Sequence, residues 1–202
     1  MAPRNSNLHG NAPDHSPAAL LIIDMINDLE FEGGARLLPQ AVAAAKRIAA
    51  LKRRARAAGV PVIYANDNFG RWRSDFRQAV DHCLRDGVRG QPLAEILQPD
   101  EDDYYVLKPK HSGFYATALG TLLDHLGARR LVLTGITTDT CVLATALDAY
   151  LRDFELHVPF DCVASIRAGD SRGTLAHMKR VLGARTAAAA RLDLKRLARH
   201  HS

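Results

Sequence analysis

Leu131-Val132-Leu133-Thr134-Gly135-Ile136-Thr137-Thr138-Asp139-Thr140-Cys141 reads as a strand, a turn and the start of a helix, and the rest of the chain is organised around it. The apolar run 131–133 suits a buried strand, Gly135 breaks it, and Cys141 opens a helical pattern over 141–152. A thiol at a helix N-terminus meets the positive end of the macrodipole and unpaired N–H groups, which favour a thiolate. The plainer reading of a lone cysteine at such a junction is a small buried hydrophobe.

Outward from this stretch, short apolar runs at 19–23, 60–65, 104–107, 131–134 and 155–158 alternate with helical patterns at 41–58, 116–126, 141–152 and 171–182. Such alternation builds βαβ crossovers. The expected fold is α/β, a three-layer αβα Rossmann-like arrangement around a central parallel sheet of six strands, the sixth at 185–188. In sheets of this kind ligands bind outside the carboxyl ends of the strands. The stretch 66–102, carrying Phe69, Trp72 and Phe76, is too long for a connector and reads as a partly helical lid or a subunit contact.

The chain has 202 residues, of which 47% are hydrophobic, enough for one full core. The expected division is a disordered leader at 1–17, one α/β domain at 18–190 and a basic tail at 191–202. The net charge of +5 draws on Lys52-Arg53-Arg54-Ala55-Arg56 and on the tail. Both runs lie on helical periodicity without interleaved aromatics, so they read as solvated helix faces, and no nucleic-acid partner is expected. There is no secretory apolar region and no run near the roughly 18 apolar residues of a membrane span, which points to a cytoplasmic protein without a membrane partner. Cys83, Cys141 and Cys162 form no CxxC pair, which argues against a disulfide framework or a cysteine zinc site. Without Gly-x-Gly-x-x-Gly or Walker patterns no nucleotide cofactor is implied, and no cofactor of any kind is expected.

The strand ends carry the chemistry: Asp24 after the first run, Asn66 and Asp67 after the second, Lys108 after the third, and Cys141 just past the fourth. A thiol nucleophile, a carboxylate to take and return its proton, and an ammonium to hold both anions make a working set. Singly, Asp24 could cap a turn and Lys108 could be a solvated strand end. Their convergence on one sheet edge favours the functional reading.

Three blocks carry a family resemblance: Leu20-Leu21-Ile22-Ile23-Asp24-Met25-Ile26-Asn27-Asp28, Lys108-Pro109-Lys110-His111-Ser112-Gly113-Phe114, and Thr134-Gly135-Ile136-Thr137-Thr138-Asp139-Thr140-Cys141-Val142. With them the chain resembles the isochorismatase-like cysteine hydrolases, which include nicotinamidases and N-carbamoylsarcosine and biuret amidohydrolases. The resemblance implies Asp24 as general base, Lys108 as electrostatic partner and Cys141 as nucleophile, with Asp24 also activating the water that cleaves the thioester. It implies a cis peptide bond at Ile136–Thr137, with the Thr137 and Cys141 N–H groups as an oxyanion hole. It further implies a homo-oligomer acting on a small amide or ureide.

Departures from the family narrow this reading. Nicotinamidases hold a metal with histidines after the second strand, whereas this chain has Asn66-Asp67-Asn68-Phe69-Gly70-Arg71-Trp72 there. No metal is therefore expected, since a carboxamide is a poor ligand beside imidazole. Members that cleave a vinyl ether lack the cysteine, so Cys141 favours the amidohydrolase branch. A vinyl ether hydrolase and a non-hydrolytic thiol or redox sensor remain the alternatives. Ile26 stands where the family often has glutamine, two residues after the aspartate. Candidate substrate contacts are Ile26, Phe31, Asn66, Trp72, His111, Phe114, Tyr115 and Thr138. Asp139 reads as a turn and helix cap, and Cys83 and Cys162 read as inert.

Overall fold

In a computed structural model, which describes residues 15–68, 70 and 75–199, the chain forms a parallel sheet with helices on both faces. The elements are β1 (Ala18–Ile23), α1 (Gly34–Ala57), β2 (Val62–Asp67), α2 (Phe76–Arg85), α3 (Gln91–Ile96), β3 (Tyr104–Lys108), α4 (Leu119–Leu126), β4 (Arg130–Ile136), α5 (Leu143–Tyr150), β5 (Glu155–His157), β6 (Val163–Ala164), α6 (Ala168–Val181) and α7 (Leu194–Leu197). The strand order is β3-β2-β1-β4-β5, every pair parallel. The sixth strand is not at 185–188. β6 pairs with the end of β4, at Gly135 and Ile136, while β5 pairs with its start, and Arg185 makes only an isolated bridge to His157. A 3-10 turn at Phe160–Cys162, following Pro159, divides what would be one edge strand into β5 and β6.

All six residues of β1 are buried, so alternate side chains feed two cores. Ala18, Leu20 and Ile22 pack with α1, α3 and α7, whereas Ala19, Leu21 and Ile23 pack with α4, α5 and α6. Burial on both faces is why this strand reads as an unbroken apolar run. α1 starts seven residues earlier than its periodicity implied and runs through Pro39, whose side chain is exposed. Near a helix start proline forfeits a single backbone bond.

The stretch 66–102 contains α2 and α3, which set Phe76, Cys83, Leu93 and Ala94 into the α1-side core. Its partly helical character is thus seen in the described residues. The reading of 52–56 as a solvated face needs correction. Lys52 is buried and bonds Asp100 (2.9 Å), Asp103 (2.6 Å) and the Tyr64 hydroxyl (3.1 Å). Arg54 donates to the Ala189 and Leu192 carbonyls. The basic tail is packed likewise as far as it is described: Leu194 and Leu197 are buried, and Arg130 donates to the Leu197 and Arg199 carbonyls. At the other end, residues 1–14 of the expected leader lie outside the described residues. Ser16 and Pro17 are buried, and the Ser16 N–H donates to the Leu126 carbonyl. Among the described residues no helix is long and apolar enough to cross a membrane.

Gly135 sits opposite Ile23 where β4 meets β1, with φ of 117°. A Cβ there would lie 2.0 Å from the Ile23 carbonyl oxygen, so only glycine lets the two strands close at the point where the turn to Cys141 begins. Gly135→Ala is expected to cost about 3 kcal/mol or more of unfolding free energy in urea. Gly183→Ala, also at positive φ but meeting nothing within 4 Å, is expected to cost about 1–2 kcal/mol. Equal losses would show that the close approach at Gly135 is not what requires glycine.

Candidate active site

Four neighbouring strands end at one edge and deliver one group each. Asp24 follows β1 in the left-handed region, with φ of 52°, and its N–H donates to the Ala65 carbonyl of β2. This conformation is uncommon outside glycine and turns the carboxylate across the strand ends. Its Oδ1 accepts the Asp67 N–H at 2.7 Å, and its Oδ2 pairs with Lys108 Nζ at 2.8 Å. Lys108, the last residue of β3, is in register with Asp67, the last of β2. Its fully buried ammonium also reaches the Lys110 carbonyl at 3.3 Å, Asp67 Oδ2 at 3.6 Å and Cys141 Sγ at 3.6 Å. Lys108 Nζ thus lies between the Asp24 carboxylate and the Cys141 sulfur.

Cys141 lies within a π-helical turn, Thr138–Val142, and not in the first turn of an α-helix. Both the Thr140 and Val142 N–H groups donate to the Thr137 carbonyl, and the Ile136–Thr137 peptide bond is cis. The expected thiolate is not the resting state. Burial first, and then the charge of Asp24, push the Cys141 thiol up to about 12, against the opposing pull of Lys108. Burial also raises the Asp24 pKa, although the Lys108 charge and the hydrogen bonds from Lys108, Cys141 and Asp67 work to lower it. For Lys108 burial works against the charge, but Asp24, Cys141 and Asp67 outweigh it and hold the pKa above its ordinary value. Burial thus favours a neutral thiol beside the Lys108 ammonium.

His111 is exposed, with Nδ1 at 3.8 Å from Sγ. Phe31 and Tyr115 are exposed on the loops after β1 and β3. Trp72 lies outside the described residues. The four remaining candidates are buried. Ile26 is fully buried in the α1-side core, and the buried Asn66 clasps it, accepting its N–H at 3.2 Å and donating to its carbonyl at 2.7 Å. Phe114 is buried against Phe154 and beneath the Arg152 guanidinium. Thr138 is buried, its hydroxyl bonded to that of Ser171 at 2.8 Å. Asp139 caps no helix; it accepts a 2.6 Å bond from the Ser165 hydroxyl, tying the turn to β6.

Sequence reasoning missed Thr145. Fully buried on α5, it donates to the Cys141 carbonyl at 2.7 Å and accepts the Gly113 N–H at 3.0 Å, joining the nucleophile's turn to the loop after Lys108. Its position four residues beyond Cys141 on a helix was the available signal, since a threonine so placed can bond back to the earlier carbonyl. Among the described residues no three histidine, cysteine, aspartate or glutamate side chains group so as to hold a metal ion. A cleft of about 670 Å³ lies elsewhere, beyond β6 between α1 and α6, and none of the three charged or reactive groups lines it. The convergence of carboxylate, ammonium and thiol marks the site, and cleft size does not.

A model of the isochorismatase domain matches residues 18–190. An uncharacterized isochorismatase family protein of Bacillus subtilis, YaaI, is 41% identical over 81% of this chain and 90% of its own length. Maleamate amidohydrolase of Pseudomonas putida is 33% identical over 72% of this chain and 71% of its own. The crystal structure of N-carbamoylsarcosine amidase from Thermoplasma acidophilum superposes with a TM-score of 0.65 at 27% identity, covering 87% of this chain and 98% of that one.

The charges around Sγ set opposite expectations for labelling and for catalysis. Iodoacetamide should modify wild-type Cys141 slowly at pH 7 to 8 and faster as the medium turns alkaline. Asp24→Asn removes the anion that suppresses ionisation, and labelling at pH 8 should rise by roughly tenfold, a shift of about one unit. Lys108→Met should slow it. Fast labelling of the wild type at neutral pH, mapped to Cys141 by peptide mass spectrometry, would contradict a neutral resting thiol.

Proposed function

The chain belongs to the isochorismatase family, and on that premise we propose that it hydrolyses a C–N bond of a small amide, ureide or lactam through a thioester on Cys141. The observation that carries this is the Lys108 ammonium set 2.8 Å from Asp24 Oδ2 and 3.6 Å from Cys141 Sγ. Relatives named as acting on maleamate, ureidoacrylate and N-carbamoylsarcosine support C–N chemistry.

Asp24 takes the thiol proton as Sγ adds to the substrate carbonyl. The two burial effects matter together: a raised thiol pKa opposes the transfer, and a raised carboxylate pKa favours it. Lys108 remains a cation throughout and faces the thiolate that forms. Negative charge on the carbonyl oxygen is received by the Thr137 and Cys141 N–H groups, and one such donor is typically worth about 2.7–4 kcal/mol of barrier. Asp24 then protonates the leaving nitrogen, the C–N bond breaks, and a thioester remains for water to cleave.

A thiol-based redox sensor would need a resolving cysteine. Cys83 and Cys162 are buried in the α1-side core, while Cys141 packs against the opposite one, so the sheet separates the sulfurs. Burial pushes both thiols up to about 12. The exposed Leu147, Tyr150 and Leu151 on α5 support self-association of the chain.

In a screen of small amides, ureides and lactams for ammonia or amine release, Cys141→Ala and Asp24→Asn should each lower turnover by at least about 10²-fold. Lys108→Met should do the same, and should also cost about 3–5 kcal/mol of stability, because it strands a buried carboxylate. Retention of wild-type turnover by Cys141→Ala would sink the covalent scheme.

A further inference from the structure

The cleft of about 670 Å³ between α1 and α6 follows from what the two helices present to it. Ala43, Ala44 and Arg47 share one side of α1, and Arg172, Leu175, Ala176 and Lys179 share one side of α6, at helical spacings of three and four residues. Alanine is too short to fill the space between the helices, so the gap stays open. Val163 and Ala164 of β6 line it, and so does the Phe160 ring, which is 56% exposed.

The charge of this lining is one-sided. Among the described residues none of Arg47, Arg172 and Lys179 pairs with a carboxylate. By contrast, Arg167 holds Asp170 at 3.1 Å and Arg185 holds Glu155 at 2.8 Å. Asp161, the one carboxylate in the lining, already accepts the Ala189 N–H at 2.8 Å. An apolar surface beside unpaired cations suits an anion with an apolar body. Hydrocarbon laid against Phe160, Val163 and Leu175 leaves water, and a carboxylate head takes charge-assisted hydrogen bonds from a guanidinium or the ammonium. The volume lies within the range of about 300–1,000 Å³ that small-molecule sites occupy.

We propose that the cleft between α1 and α6 is a second ligand site, for a carboxylate with an apolar tail, separate from the strand-end triad. It shares a wall with the nucleophile's turn: Ser171 lines the cleft and bonds the Thr138 hydroxyl at 2.8 Å, and Ala164 is in register with Ile136. A ligand against α6 thus lies one hydrogen bond from the turn that carries Cys141. The site stands or falls independently of the chemistry at Cys141.

The probe is decanoate, titrated by calorimetry into the full chain below its micellar concentration. Wild type should bind one equivalent, and prior alkylation of Cys141 with iodoacetamide at alkaline pH should leave the affinity within about twofold. Arg172→Glu and Lys179→Glu should each weaken binding by about tenfold or more, because they set like charge against the head group. Ala176→Trp, which fills the cleft, should do the same. Arg180→Glu makes the same change in net charge from an exposed position on α6 outside the lining, and should leave binding unaltered. All four positions are exposed, and far-ultraviolet circular dichroism checks that each variant keeps the fold. Absence of saturable heat with the wild type would overturn the proposal. Equal weakening by Arg180→Glu would do so by reducing the effect to general charge attraction, and loss of binding on alkylation would do so by placing the probe at the triad. A wild-type oligomer that Ala176→Trp dissociates in sedimentation would put a second copy of the chain in the cleft, and would overturn it as well.

Discussion

A carboxylate and an ammonium 2.8 Å apart, with almost no exposed surface, are the constraint on which the site depends. Removing either charge from water costs several kcal/mol, and their attraction offsets this only with good geometry and further hydrogen bonds. The sheet supplies both. Parallel register sets Lys108 beside Asp67 at the ends of adjacent strands, and the left-handed turn at Asp24 brings its carboxylate to the Asp67 N–H and to Lys108 Nζ. The order β3-β2-β1-β4 thus becomes a spatial order of Lys108, Asp67, Asp24 and the turn to Cys141. The close approach at Gly135 keeps the last of these near the others.

The nucleophile's turn is held from three directions by short polar side chains. Thr138 bonds Ser171 of α6, Asp139 accepts from Ser165 beyond β6, and Thr145 of α5 takes the Cys141 carbonyl while receiving Gly113 from the loop after β3. Only the Thr145 bond satisfies a backbone group of the turn, the Cys141 carbonyl; the other two tie its side chains to α6 and to the end of β6. The turn is therefore fixed by residues remote in sequence, and its geometry is a property of the folded layers.

What was legible follows from this division. Strand ends could be read because strands buried on both faces leave unbroken apolar runs, and the residue after each run falls on one edge. Asp24, Lys108 and Cys141 emerged in that way, and His111 emerged with the Lys108 block. What failed depended on distant partners. Lys52 looks solvated on its own helix because Asp100 and Asp103, which bury it, lie about fifty residues away. Ile26 and Phe114 sit beside the candidate site residues in sequence, but their side chains turn into the cores. β6, at two residues, is too short to leave a pattern and exists by its pairing to β4. Helix position alone suggested a low thiol pKa for Cys141; burial first, and then the carboxylate across the strand ends, reverse it.

That reversal bears on how such a site controls its own reactivity. A permanent thiolate is open to any electrophile or oxidant that reaches it, because alkylation and oxidation both follow thiolate character and exposure. Here desolvation and Asp24 hold the sulfur protonated while Lys108, paired with Asp24, stands as a cation 3.6 Å from it. In the proposed reaction a substrate carbonyl would change the balance. Once it can take up the sulfur's charge as the bond forms, proton transfer to Asp24 no longer leaves two adjacent anions, and the raised carboxylate pKa then favours the step. The same burial that suppresses the free nucleophile thereby couples its activation to the presence of an acceptor.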